Sequence, residues 1–148
     1  AAAKGLSVLL VDKKQELGSP IQCSGAVSYN ALHQVGIDSS PEFIQEPIYG
    51  FGIYNTNGER KIIDYRELKP DEYGSKPGTI PLGYVVDRRR FDRYLATQAE
   101  RAGATVWLKT EANGFRNLPD GSCEVDLVKF NQRLTVNAKV MIAADGVQ

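Results

Sequence analysis

The sequence predicts an α/β fold in which parallel pieces at the two ends of the chain enclose an antiparallel β insertion. Three observations lead to it. The chain opens on Ala1-Ala2-Ala3-Lys4-Gly5, which reads as the last turn of a helix with a Gly stop, followed by the apolar strand Ser7-Val-Leu-Leu-Val-Asp12 that closes on an acid. Near the other end, Lys139-Val-Met-Ile-Ala-Ala144 reads as a buried apolar strand that also closes on an acid, Asp145-Gly146. Between them, the period of the apolar residues falls to two and turn residues recur.

Helix end, Gly, buried strand and terminal acid form the second half of a dinucleotide-binding βαβ unit. In that unit the acid accepts hydrogen bonds from a ribose. The first half, a strand and a Gly-rich turn, is not in the sequence, so the chain is expected to begin inside a nucleotide site. In doubly wound sheets ligands bind at the carboxyl ends of the strands, and both terminal acids are expected at that edge.

The composition allows one core of useful size and excludes several classes. The 148 residues are 42% hydrophobic and 24% charged, and 18 Lys+Arg balance 18 Asp+Glu. A net charge of zero gives no support to nucleic-acid binding or to long-range attraction toward an acidic surface. No apolar run approaches the roughly 20 residues that span a bilayer, and no signal peptide is recognisable. Two distant cysteines, Cys23 and Cys123, suggest reduced thiols and a cytoplasmic setting. A single histidine and the lack of a Cys-x-x-Cys pair exclude the usual metal centres.

Element by element, residues 6–11 form the opening strand, 12–29 a Gly/Ser/Pro-punctuated functional loop, and 28–35 a short helix stopped by Gly36. Ile48–Tyr54 and Lys61–Tyr65 flank Asn55-Thr-Asn-Gly58, a β-hairpin signal in which Asn-Gly supplies positive φ. Residues 66–81, with three prolines and two glycines, read as loop, and Leu82–Val86 as a strand. Asp87 caps a helix over 88–102, with Phe91, Leu95, Gln98/Ala99 and Ala102 on one face and Gly103 at its end. A strand at 105–108 follows. Then 113–118, 123–128 and 133–138 form an antiparallel meander across Pro119-Asp-Gly121 and Phe130-Asn-Gln132. The implied organisation is 1–40 as part of a nucleotide-binding domain, 41–86 as the β insertion and 87–148 as the same domain continued.

Four constellations carry chemistry. Asp12 offers a carboxylate to ribose hydroxyls; the alternative is a strand-end Asp that merely starts a turn. In Ser19-Pro-Ile-Gln-Cys23-Ser-Gly-Ala26 the small residues let backbone approach a flat ligand; the alternative is a buried structural thiol in a tight turn. Arg88-Arg89-Arg90 begins a helix, where one arginine suits a phosphate. Successive residues cannot share a face, so a solvated charged surface competes with that reading. Asp145-Gly146 can serve ribose or ribityl hydroxyls, or be a turn alone.

This ordered set — strand and Asp, Pro-x-x-Cys, Arg-x-x-Phe-Asp on a helix, strand and Asp-Gly — closely resembles the geranylgeranyl reductase family of flavoproteins, above all its archaeal lipid branch. The resemblance spans essentially the whole chain and is loosest over 37–80. Arg-x-x-Phe-Asp and Asp-Gly are shared with flavin monooxygenases at large; only the Pro-x-x-Cys loop narrows the match.

The resemblance implies a partial FAD/NAD(P)-binding Rossmann-like domain of the flavin monooxygenase/reductase type. It implies FAD as cofactor, with Asp12 on the adenosine ribose, Cys23, Ser24 and Ala26 near the flavin and pyrophosphate, Arg88 on the phosphates, Ala112 presenting backbone to adenine, and Asp145 and Gly146 on the cofactor side of the cleft. Cys23 is the best candidate for a group near the reacting face. The family loop commonly reads Cys-small-Glu-Gly; here it reads Cys-Ser-Gly-Ala, which leaves the loop geometry and any role of that acid open.

The implied activity is reduction of C=C bonds in geranylgeranyl chains (CH–CH oxidoreductase chemistry) in archaeal phospholipid biosynthesis. The implied substrate is a prenylated lipid, with peripheral contact to a membrane. Apolar residues of 48–65 supply surface for a tunnel wall; the alternative is an ordinary hairpin core. A phosphate-gripping turn and a later flavin-covering segment are expected outside these residues. The chain is thus expected to be an N- and C-terminally truncated fragment that holds FAD weakly or not at all and has no reductase activity alone. The rival readings are a fragment of an aromatic-ring flavin monooxygenase or halogenase, and a non-enzymatic β-rich module that has lost FAD.

Overall fold

The computed structural model describes residues 1–67 and 80–146. In chain order the elements are β1 (Leu9–Val11), β2 (Ala26–Ser28), α1 (Tyr29–Gln34), β3 (Ile44–Ile48), β4 (Gly50–Tyr54), β5 (Arg60–Asp64), β6 (Gly83–Val86), α2 (Arg88–Arg101), β7 (Thr105–Trp107), β8 (Thr110–Asn117), β9 (Cys123–Lys129) and β10 (Gln132–Ala138). A single 3-10 turn, Ala2–Lys4, precedes them and ends at Gly5 with φ 79°. The chain divides into two compact units, Ala1–Ser19 with Leu95–Gln148, and Pro20–Tyr94.

In the first unit β1 and β7 form a parallel pair, with Leu9 opposite Thr105 and Val11 opposite Trp107. The amide of Asp12 extends the ladder by donating to the Trp107 carbonyl at 2.9 Å. The meander forms with β9 in the middle. Strict alternation along β9 buries Cys123, Val125 and Leu127, which pack with Leu9, Val11, Trp107, Leu134 and Val136. The Cys123 thiol donates to the Ala138 carbonyl at 3.3 Å, so this cysteine is a packed, satisfied core residue.

The expected strand over 139–144 is not formed. The segment carries no strand hydrogen bonding, Val140 is 76% exposed and Ile142 82% exposed. An apolar run becomes a strand only where a neighbour takes up its amides and carbonyls, and among the described residues none does.

The second unit is a three-stranded antiparallel sheet with β6 between β2 and β3. It packs on α1 and the first turns of α2 around Leu32, Phe43, Tyr84, Val86 and Phe91. Phe43 is 1% exposed, with the rings of Phe91 and Tyr94 tilted against it at 5.0 and 4.9 Å between centroids. Ser39 donates its hydroxyl to the Tyr84 oxygen at 2.8 Å, which keeps the polar end of that buried ring satisfied.

Two strands appear that the sequence pattern does not announce. β2 lies inside the stretch expected as loop over 12–29. β3 contains Gln45, Glu46 and Pro47, a run without strand character. Proline is tolerated there because β3 is an edge strand among the described residues, pairing with β6 alone.

The hairpin β4–β5 forms as expected, Gly50 facing Asp64 and Tyr54 facing Arg60. Its connection is organised by Asn55, whose Oδ1 accepts the amides of Asn57 and Glu59, with Gly58 at φ 81°. Phe51, Ile53, Tyr54 and Ile62 are each about half exposed or more, so they do not form a hairpin core. Most of the loop expected over 66–81, namely 68–79, lies outside the described residues.

At the foot of the hairpin the Arg66 guanidinium clamps the Asp64 carboxylate and holds its pKa down at about 2, below the ordinary 3.8. A depressed carboxyl contributes stability that is complete above its unfolded value and is lost as pH falls through the folded one. A carboxyl-shift titration by NMR should show Asp64 still largely ionised at its ordinary midpoint of 3.8. In Arg66→Gln the Asp64 midpoint should return toward the ordinary value.

Helix α2 starts where expected. The Asp87 Oδ1 accepts the amides of Arg89 at 2.9 Å and Arg90 at 3.3 Å, covering two of the orphan donors of the first turn. Gly103, at φ 96°, ends it.

Candidate cofactor site

The expected site residues fall into the two units, and each group is local. In the first unit, Asp12 stands at the carboxyl end of β1, half-buried. Its backbone is pinned on both sides, the amide to Trp107 and the carbonyl accepting the Thr110 amide at 3.0 Å. Thr110 is itself 1% exposed and donates its hydroxyl to the Leu108 carbonyl. The Asp12 Oδ1 accepts the Lys14 amide at 2.9 Å, which fixes the carboxylate and leaves Oδ2 for a hydroxyl donor. Ala112 lies exposed on β8, at a bulge between Ala112 and Gly114 where the ladder to β9 is interrupted and backbone groups are freed. Asp145 and Gly146 are exposed and lie in no strand, Gly146 with φ 78°.

In the second unit the Pro-x-x-Cys loop and the start of α2 meet. Gly25 is why the loop can pass so close to β6. It has φ +80°, its carbonyl accepts the Val86 amide at 2.9 Å, and a Cβ there would fall 2.4 Å from the Val86 carbonyl oxygen. A glycine at position 25 therefore has a backbone cause. Cys23 precedes this contact and is exposed, which removes the buried-thiol alternative. Its sulfur accepts the Gly25 amide at 3.5 Å and interacts with Arg88. Arg88 is in turn gripped through two bonds by Asp92, Nε to Oδ1 at 3.1 Å and Nη2 to Oδ2 at 3.2 Å. Thiol, guanidinium and carboxylate thus form one chain of contacts. Asp92 is the member that functional reasoning from the sequence passes over, although its spacing of four from Arg88 is the signal for it.

The Gly25 amide, then the Arg88 side chain, lower the Cys23 thiol pKa from its ordinary value. Arg88 is raised, chiefly by Asp92 and also by Cys23. A thiol that is both exposed and depressed reacts before a buried one. Iodoacetamide should therefore label Cys23 well ahead of Cys123, by mass spectrometry, and Arg88→Gln should move the pH midpoint of that reaction upward. Equal labelling of both cysteines would contradict the geometry.

Both groups fit the parts of FAD assigned to them. Asp12 has a free carboxylate oxygen for a ribose hydroxyl. Arg88 is held rigidly, with guanidinium N–H groups beyond those taken by Asp92. Ser24 and Ala26 are small and exposed around the cysteine. Elsewhere in the second unit, β4 and β5 line an open groove of about 460 Å³ with Tyr49, Phe51, Tyr54, Arg60 and Ile62 among its walls. The Arg60 guanidinium lies 5.9 Å from the Tyr54 ring centre.

No family model matches the chain. It is 34% identical over 146 residues to digeranylgeranylglycerophospholipid reductase 2 of Methanosphaera stadtmanae, covering 99% of this chain and 35% of that protein. A geranylgeranyl bacteriochlorophyll reductase-like protein from Thermoplasma acidophilum superposes with a TM-score of 0.83 at 31% identity, over 98% of this chain and 34% of that one. Aklavinone-11 hydroxylase, solved with FAD and aklavinone, shares the fold at a TM-score of 0.64 and 18% identity over 98% of this chain and 29% of its own. That last likeness shows the fold alone, the mixed α/β fold of flavin-dependent monooxygenases and reductases. The chain spans about a third of the length of the curated relatives it matches. Along its whole length it is related in sequence, and in fold, to the digeranylgeranylglycerophospholipid reductases of the geranylgeranyl reductase family.

Proposed function

We propose that this chain forms part of an FAD-dependent oxidoreductase that saturates C=C bonds of geranylgeranyl chains on a glycerophospholipid. The observation that carries the reading is the Cys23–Arg88–Asp92 cluster, set on a loop that Gly25 presses against β6, in a chain whose relatives bear that activity in their names. When bound and reduced, FAD supplies the hydride for such a reaction.

The chain's own residues bind and orient. Asp12 accepts from the adenosine ribose, and a 2′-phosphate is disfavoured there by repulsion. Ala112 offers backbone to the adenine, and Asp145 and Gly146 support the cofactor. Arg88 meets phosphate with its orientation fixed by Asp92, and a planar guanidinium suits that partner. Cys23, Ser24 and Ala26 present a small, exposed edge to the flavin and pyrophosphate. Cys23, with its depressed thiol pKa, is the group assigned nearest the reacting face. The substrate is a prenylated lipid, and the half-exposed Phe51, Ile53 and Ile62 of the hairpin supply apolar surface for its chain.

The test is flavin retention in protein expressed from its complete reading frame. Asp12→Ala and Arg88→Gln should each weaken FAD binding by roughly 10- to 100-fold, the loss expected for a hydrogen bond to a charged group. Unchanged thermal melting would show that both variants fold. Wild-type affinity in both variants would overturn the assignment.

A further inference from the structure

We propose that Asp92 is a positioning residue that holds Arg88 where the Cys23 thiolate and a cofactor phosphate draw on the same guanidinium, so that the site serves one anion at the expense of the other. The inference rests on the cofactor reading above and adds to it a residue and a linkage.

Helix stability does not account for the Arg88–Asp92 pair. Arg88 is the first residue of α2, where a cation faces the positive end of the helix dipole. An acid four residues after a base is also the weaker order for a pair at this spacing. Of the three successive arginines, Arg89 and Arg90 are exposed, and Arg90 leans back on Asp87 at 3.6 Å. Arg88 is the half-buried member, and Asp92 grips it through both Nε and Nη2. Such a two-point grip fixes the plane of the guanidinium as well as its place. A cation kept against the dipole and locked in one orientation suits an anion that approaches from outside the helix. An arginine already held also loses less side-chain freedom when that anion binds.

The grip leaves the Nη1 amino group and the second Nη2 hydrogen for other acceptors. The Cys23 sulfur hydrogen-bonds to Arg88, and it accepts the Gly25 amide at 3.5 Å. Arg88 is the charged group that acts on the thiol, beside the Gly25 amide and the Ser24 hydroxyl, and Asp92 acts on it through Arg88. Asp87, at the foot of the same helix, is engaged by the amides of Arg89 and Arg90 and by the Arg90 side chain. A phosphate on Arg88 must use the N–H groups that Asp92 leaves, and it sets a second negative charge beside the sulfur. Linkage makes the effect reciprocal: phosphate at Arg88 raises the thiol pKa, and the thiolate weakens phosphate binding by the same factor. The cofactor therefore binds best below the thiol midpoint and loses affinity as pH rises through it.

Protein from the complete reading frame, freed of flavin, tests this by FAD titration at a series of pH values, with the thiol midpoint located from iodoacetamide rates. Wild-type FAD affinity should fall about fivefold across that midpoint, within the usual size of a coupling between sites. Cys23→Ser, which does not ionise there, should give a flat profile. Asp92→Asn should weaken FAD about tenfold, the loss expected for a hydrogen bond between charged groups. It should also move the Cys23 alkylation midpoint upward, because an unheld Arg88 serves neither anion, and Asp92→Glu should restore part of both. An Asp92→Asn protein that only melts earlier, with the alkylation midpoint unmoved or lowered, would overturn the positioning role. A flat wild-type profile, or the same pH dependence in Cys23→Ser, would overturn the linkage while leaving the cofactor reading intact if Arg88→Gln still weakens FAD. Wild-type FAD affinity in Arg88→Gln would overturn the cofactor reading and this proposal with it.

Discussion

Phe43→Ala is expected to destabilise the protein by about 3–5 kcal/mol, the range for removing a large aromatic from a packed core. Phe43 is 1% exposed and fills the space between β6 and the first turns of α2, in contact with Phe91 and Tyr94. Its backbone also matters, because its carbonyl accepts the Asp87 amide at 2.8 Å and so sets the residue that caps α2. Truncation leaves those bonds formally possible but removes the ring that aligns them. Urea titration followed by circular dichroism should show a lower midpoint. Phe43→Leu, which keeps most of the volume, should recover more than half the loss. A midpoint unchanged in Phe43→Ala would mean that this core is not what holds the second unit together.

Gly25→Ala is expected to be the most damaging small substitution near the candidate site, by roughly 3 kcal/mol or more, as left-handed strain and overpacking add. The new Cβ would stand 2.4 Å from the Val86 carbonyl oxygen, a backbone atom inside a paired strand, at a residue with φ +80°. The loop must therefore lift away from β6. In doing so it loses the Val86-to-Gly25 hydrogen bond and the amide that supports the Cys23 sulfur. The consequence is chemical as well as structural: the Cys23 thiol should titrate closer to its ordinary range and alkylate more slowly at neutral pH. Gly36→Ala is the control, because Gly36 shares the positive φ, at +70°, but has nothing within 4 Å of an added Cβ. Its cost should be the conformational strain alone, and Cys23 reactivity should not change. Equal effects of the two substitutions on Cys23 would show that the close approach of Gly25 does not govern the loop.

Elements whose signals are local were legible in the sequence. Asp87 and Gly103 bracket α2 because capping needs only neighbouring residues. Asn55 to Gly58 marks the β4–β5 hairpin for the same reason. β1 and β7 are legible as strands from their apolar runs, whereas their parallel pairing is set by the fold. What escaped depends on partners distant in sequence. β2 consists of Ala26, Val27 and Ser28, too small and too mixed to stand out from the loop before it, and it exists because β6 is there to pair with. β3 hides behind Pro47. The apolar run 139–144 has every intrinsic feature of a buried strand and lacks only a neighbour among the described residues. In the candidate site, residue types were legible and their states were not. Cys23 and Arg88 were singled out, but the exposure of the thiol and the hold of Asp92 on the guanidinium depend on the fold.

The measurement that bears most directly on the proposed function is the mass of the lipid product. Protein from the complete reading frame would be supplied with FAD, a chemical reductant and a digeranylgeranylglycerophospholipid, and the lipid followed by mass spectrometry. The expected result is a ladder of products, each two hydrogens heavier than the last, that disappears in Asp12→Ala and in Arg88→Gln. Folded, flavin-loaded protein that leaves every double bond in place would contradict the account.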